Sequence, residues 1–94
     1  MIEADGGVLK LAGPVTIETH TKLRGSAAPH IGQSDWVIDW SKVTEVDSSA
    51  LSLAFAWQRV SLEKGKSLRN ANFPSNLEAL AELYGVAELI PLSS

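Results

Sequence analysis

The feature that most limits the possible folds of this chain is a segment without Gly or Pro, residues 48–64. It is rich in Ala, Leu and charged residues, and it stops at Gly65, the residue type most favoured just past a helix C-terminus. Directly upstream, residues 36–40 read WVIDW, which is rich in strand-forming residues and too short for a helix. Residues 43–46 are expected to continue extended. The pattern therefore predicts a buried strand that leads into a long helix.

The other segments repeat this order of strand and helix. Residues 7–12 alternate apolar and polar side chains as a half-buried strand does, and a helix is predicted from Ile17 with Thr16 as its cap. Residues 66–73 are predicted to form a short strand, and a further helix begins at a capping box that starts with Ser75. This alternation predicts an α/β layer of mostly parallel strands joined by right-handed crossovers.

Composition narrows the class of protein. The 94 residues are 45% apolar, which is enough for one modest core, so we expect a single domain over residues 1–94. The net charge is −3 and basic residues are not clustered, which argues against a nucleic-acid partner. The absence of cysteine excludes disulfides and thiolate metal sites. No leader or bilayer-length apolar run is recognised, so we expect a cytoplasmic protein without membrane insertion.

The motifs that could carry enzyme chemistry are weak. Residues 65–67 read GKS like the end of a phosphate-binding P-loop, but Val60 stands where that motif needs a Gly. His20 and His30 have no second histidine at metal-binding spacing, and no Gly-x-Ser-x-Gly elbow is present. We therefore expect exposed histidines, no metal, no cofactor and no catalysis. A small hydrolase that uses a serine of residues 48–49 with a histidine is the alternative from the enzyme class.

The predicted long helix carries two apolar stripes. At about 100° per residue, one sector holds Leu51, Phe55 and Leu62. The nearly opposite sector holds Leu53, Trp57 and Val60. One stripe can pack on the sheet, and two interpretations of the other remain open. It is covered by the first helix or the tail, or it is an exposed face that binds a protein, for which Trp and aliphatic residues are the usual anchors.

The start of this helix reads Asp47-Ser48-Ser49. Asp47 or Ser48 is expected to cap the helix, because free backbone N–H groups at a helix N-terminus need acceptors. The same N–H groups and the helix dipole would stabilise a phosphoryl group on a serine here. Such a group would add about two negative charges to the surface and could switch a docking surface off.

Residues 36–90 resemble the STAS domain family. Its signature is an apolar strand ending in Asp, a turn, a second Asp followed by two small or hydroxyl residues, Gly and Leu, and a helix ending in Gly. The matching positions are Asp39, Val43, Val46, Asp47, Ser48, Ser49, Leu51 and Gly65. The resemblance implies an α/β fold with a four- or five-stranded mixed sheet and about three to four helices packed mainly on one side.

Within the family, the small size and the ending LAELYGVAELI look most like the MlaB-type members. These are cytoplasmic subunits of an inner-membrane ABC transporter that moves phospholipids and maintains outer-membrane lipid asymmetry. The resemblance implies a non-enzymatic adaptor that binds the transporter's ATPase subunit, within a complex that includes the permease, and lies at the inner membrane only through that partner. Other free-standing members are anti-sigma-factor antagonists, whose first hydroxyl after the Asp is phosphorylated by an anti-sigma kinase.

Under both interpretations the resemblance makes Ser48 the centre of an interaction site, and under the second it is the phosphorylated residue. The predicted partner-binding residues are Asp47, Ser48, Ser49, Ala50, Leu53 and Trp57. Two positions depart from the family pattern. Ala50 replaces the usual Gly and is expected to add a methyl to the docking surface, which weakens the case for a kinase. Trp40 stands where an aliphatic residue is more usual.

Overall fold

The computed structural model describes residues 2–93, which form a five-stranded sheet, three α-helices and one 3₁₀ turn. In chain order the elements are β1 (Ile2–Asp5), β2 (Val8–Val15), α1 (His20–Ala27), β3 (Trp36–Val46), α2 (Ser48–Glu63), β4 (Leu68–Ala71), α3 (Ser75–Leu83), the 3₁₀ turn (Ala87–Leu89) and β5 (Leu92–Ser93). The long helix predicted for residues 48–64 is confirmed to within one residue. The predicted α/β fold with a mixed sheet is also confirmed.

The sheet is mixed because only its first pair is antiparallel. Its strand order is the chain order, with β1 antiparallel to β2 and the pairs β2–β3, β3–β4 and β4–β5 parallel. Parallel neighbours need crossover connections, and these are almost always right-handed. Since the parallel strands follow one another in a single direction across the sheet, such crossovers place the connecting helices on the same face. This explains the predicted one-sided packing.

The core lies between this face of the sheet and the helices. Strand residues on the helix-facing side are buried and alternate with more exposed ones, as the period of a β-strand requires. The buried strand residues include Leu9, Leu11, Ile38, Trp40 and Leu68. All of them belong to one continuous hydrophobic cluster with the inner residues of the helices.

The structure corrects three expectations about the minor elements. The strand β1 was not predicted, although the turn that follows it contains Gly6 and Gly7, both with positive φ. Helix α1 begins at His20 rather than Ile17, since the preceding residues form a separate turn in which the Thr19 side chain accepts the N–H of Thr16 at 3.0 Å. Ser75 is the first residue of α3 rather than its cap, and no side chain caps this helix.

The tail that follows α3 packs back onto the sheet through a buried polar network. Trp40 Nε1 donates to Asn70 Oδ1 at 3.0 Å. Asn70 in turn donates to the carbonyl of Pro91 from its side-chain Nδ2, at 3.1 Å, and from its backbone N–H, at 2.9 Å. Asn70 is only 2% exposed. The indole that distinguishes Trp40 from an aliphatic residue therefore has a structural role, because it satisfies the amide that holds the tail.

Candidate functional site

Asp47 caps helix α2, as the sequence predicts. It follows the last residue of β3 with extended backbone angles, φ −135° and ψ −172°. Its Oδ1 accepts the backbone N–H of Ser49 at 2.9 Å and also the hydroxyl of Ser49. One carboxylate oxygen thus satisfies a free donor of the first helical turn and fixes the Ser49 side chain.

The other oxygen of Asp47 ties the helix to a distant loop. Its Oδ2 accepts the N–H of Ile17 at 3.0 Å, and the carbonyl of Ile17 accepts a hydrogen bond from His20 Nδ1, also at 3.0 Å. Both backbone polar groups of Ile17 are therefore held by side chains, yet its own side chain is 66% exposed. The loop after β2 is fixed in a position that presents an apolar residue to solvent beside the α2 N-terminus.

These hydrogen bonds lower the pKa of Asp47. The largest cause is the Ser49 hydroxyl, followed by the N–H of Ile17, and the N–H of Ser49 and the charge of His20 act in the same direction. A carboxylate whose folded pKa is lowered contributes stability above its ordinary pKa of 3.8, and that stability is lost as the pH falls through the folded pKa. At neutral pH, Asp47 is ionised and the link between loop and helix is at full strength.

Ser48 differs from both of its neighbours. Its side chain is exposed, and its hydroxyl forms no hydrogen bond with any residue in the range 2–93, whereas the Ser49 hydroxyl is committed to Asp47. The structure thus brings together Asp47, Ser48 and Ser49 as predicted, and adds Ile17. We call these four residues the docking surface, a name for the candidate site. Sequence reasoning missed Ile17 because the contact that positions it spans 30 residues and follows no local pattern.

The other three predicted partner-binding residues lie in the core. Ala50, Leu53 and Trp57 are 0%, 2% and 3% exposed. The prediction that the second stripe of α2 faces outward is therefore wrong for Leu53 and Trp57, and the other interpretation, that the stripe is covered, is correct for these two residues. Trp57 lines a small cavity together with Arg24 and Ala28, at the packing of α1 against α2. The Ala50 methyl points into the core and adds nothing to the docking surface.

The two histidines are directed to groups other than the serines at the start of α2. His20 is directed to Ile17 and Thr21, and His30 packs edge-on against the Trp36 ring at 5.5 Å. Within residues 2–93, neither histidine hydrogen bonds to Ser48 or Ser49. Both histidines are half-buried, so the expectation that they are simply exposed is wrong.

The GKS segment cannot cradle phosphate, because each of its three amides is already bonded within the domain. The N–H of Gly65 donates to the carbonyl of Leu62 at 3.1 Å, and the N–H of Lys66 donates to the carbonyl of Ser61 at 2.8 Å. The N–H of Ser67 donates to Asp35 Oδ1, also at 2.8 Å. These hydrogen bonds end helix α2 and join its exit loop to the loop before β3. The structural interpretation of this segment as a helix stop therefore holds.

Comparison with known proteins identifies the family. Residues 2–91 match the model of a family described as "Mlab, STAS domain". The chain is a STAS domain. A search of the curated proteins found no match for it. Among residues 2–93, no helix is both long enough and apolar enough to cross a bilayer.

Two solved structures share the STAS fold with this chain. One is the anti-sigma factor antagonist SpoIIAA in its unphosphorylated form, with a TM-score of 0.71 and 13% identity, covering 100% of this chain and 86% of that one. The other is the Bacillus cell fate determinant SpoIIAA in its phosphorylated form, with a TM-score of 0.71 and 14% identity, covering 100% of this chain and 90% of that one. At such low identity, these matches establish the fold alone.

Proposed function

We propose that this STAS domain is a non-enzymatic adaptor that binds the ATPase subunit of a phospholipid ABC transporter and supports its assembly and activity. The description of the matching family, which names MlaB, supports this choice of partner. In this role the domain works in the cytoplasm, is held at the inner membrane through the ATPase, and serves a transporter that maintains outer-membrane lipid asymmetry. No lipid has to contact the STAS domain itself.

The observation that carries the proposal is the state of the docking surface. Ile17 presents an apolar side chain that is 66% exposed, Ser48 presents an unpaired hydroxyl, and Asp47 holds the two segments together. An apolar anchor beside a polar group on a fixed backbone is typical of interface centres, because little conformational entropy is lost on binding. Nothing in this arrangement activates Ser48 as a nucleophile.

Charged substitutions on the docking surface are expected to abolish binding of the ATPase. We expect Ser48→Glu and Ile17→Glu each to reduce retention of the untagged ATPase by the tagged STAS domain at least tenfold, since both place an unpaired charge at the interface. The measurement is co-purification from cells that express both proteins, with circular dichroism to confirm that each variant is folded. Leu62→Glu is the matched control, because Leu62 is 65% exposed but lies at the other end of α2.

Normal retention of the ATPase by the Ser48→Glu and Ile17→Glu variants would overturn the proposed surface. Loss of binding in the Leu62→Glu control alone would show that the interface lies at the opposite end of α2. Leu53→Arg is not a useful test of binding, because Leu53 is 2% exposed and the change disrupts the core.

A second candidate function is a phosphorylation-switched antagonist of an anti-sigma kinase. Two observations favour it. The hydroxyl of Ser48 is free at a helix N-terminus, where a phosphoryl group is stabilised, and the Ala50 methyl points into the core and does not obstruct a kinase. SpoIIAA, whose fold is similar, has been solved in a phosphorylated form.

This alternative predicts one phosphoryl group on Ser48. After incubation with the candidate anti-sigma kinase and ATP, intact-mass analysis should detect a single added phosphate on the wild type and on Ser49→Ala. The Ser48→Ala variant should gain none, since its neighbour's hydroxyl is already bonded to Asp47. An unchanged mass for the wild type would eliminate this candidate, while a phosphate on Ser48→Ala would assign the modification to another residue.

A further inference from the structure

A cavity of about 160 Å³ lies between helix α3 and the tail, apart from the docking surface. Its apolar lining consists of Phe73, Ala81, Ala87 and Ile90. Phe73 is fixed by an edge-on contact with the Trp40 ring, with centroids 5.0 Å apart, and Ala81 and Ile90 belong to the buried core. Three of the four apolar residues of the cavity wall are thus held in place by the core. A cavity of about 150 Å³ holds a benzene-sized group, so this one accommodates a single large side chain.

Two carboxylates, Glu78 and Glu82, complete the lining of this cavity. They lie one turn apart on α3, at a spacing where like charges repel each other. Glu78 is in the first turn of α3, where the helix dipole favours a negative charge. Glu82 lies one turn further on and does not gain this stabilisation. Neither carboxylate has a hydrogen bond or ion pair to any residue between 2 and 93. The sequence from residue 70 onward contains three glutamates and no lysine or arginine, so this segment supplies no cation for them.

We infer that this cavity is an anchor pocket for an arginine side chain on a basic segment of a partner protein. The aliphatic stem of arginine packs on the apolar lining, and its planar guanidinium reaches both carboxylates with several donors. Charge-assisted hydrogen bonds of this kind are stronger than neutral ones, and the bound cation relieves the repulsion between Glu78 and Glu82. The pocket shares no residue with the docking surface, so the inference does not depend on the function proposed above.

The test uses the full chain and two blocked peptides of about twelve residues. One peptide carries a single arginine between alanine and leucine residues, and the other carries uncharged citrulline at the same place. Titrations are followed through the methyl NMR signals of Ala81, Ala87 and Ile90. We expect the arginine peptide to shift these signals with a dissociation constant in the millimolar range or below, and the citrulline peptide to bind about tenfold more weakly.

Matched variants separate the pocket from general charge effects. The double change Glu78→Gln/Glu82→Gln should weaken binding of the arginine peptide about tenfold. Glu63→Gln, at the end of α2, should leave the dissociation constant of that peptide unchanged. Ser48→Glu should also bind the peptide normally, so failure of the docking proposal and failure of this one are distinguishable. The inference would be overturned if the two peptides bound with equal affinity, or if the double variant and Glu63→Gln changed that affinity equally. It would also be overturned if the methyl signals of Ala87 and Ile90 did not shift.

Discussion

Replacing Leu53 with arginine is expected to unfold most of the STAS domain. Leu53 is 2% exposed and belongs to the core cluster between α2 and its neighbours. Truncation of such a leucine to alanine alone costs about 2–5 kcal/mol, and an unpaired buried charge adds a larger penalty. Small domains are stable by only about 5–15 kcal/mol. The folded population should therefore collapse, which urea unfolding followed by circular dichroism will measure.

Leu62→Arg is the matched control for this prediction. Leu62 lies on the same helix, but its side chain is 65% exposed. A surface substitution of this kind usually changes stability by less than about 0.5 kcal/mol. If Leu53→Arg remained as stable as Leu62→Arg, the assignment of the second apolar stripe to the core would be wrong.

This pair of leucines explains what helical periodicity predicts and what it does not. The sequence correctly divides α2 into two apolar stripes, because the angular position of each residue follows from the helix itself. It does not say which neighbour covers each stripe. Trp57 is buried where α1 packs against α2, and Leu53 of the same stripe is also buried. Leu62, in the other stripe, stays 65% exposed near the end of the helix.

The docking surface shows the same division between local and distant causes. Asp47, Ser48 and Ser49 were predictable because a cap acts within a few residues of chain. The structure then distinguishes the two serines, since only Ser49 bonds to Asp47. Ile17 could not be predicted from sequence, because its position depends on which strand ends lie side by side in the sheet. The parallel pairing of β2 with β3, with Val15 opposite Val46, brings the two loops together.

Trp→Phe substitutions at residues 40 and 57 are expected to have clearly different effects on stability. Both indoles are buried, at 2% and 3% exposure. Trp40 Nε1 donates to Asn70 Oδ1, but Trp57 Nε1 has no acceptor among residues 2–93. Trp40→Phe leaves a buried amide oxygen without its donor, which costs about 1–3 kcal/mol beyond the loss of packing. Trp57→Phe loses similar packing but removes an unpaired donor, so its net cost should be lower by about 2 kcal/mol.

Urea unfolding of the two variants measures this difference, and Asn70→Ala provides a further check. The alanine change removes the acceptor of Trp40 and the side-chain donor to Pro91, so its cost should equal or exceed that of Trp40→Phe. Equal stabilities of the two Trp→Phe variants would contradict a structural role for the Trp40–Asn70 bond. Asn70→Ala also removes the side-chain bond to the carbonyl of Pro91, just before β5, and keeps only the backbone bond from residue 70. The variant should therefore loosen the tail at the sheet edge, which faster hydrogen exchange at residues 90 and 92 would detect.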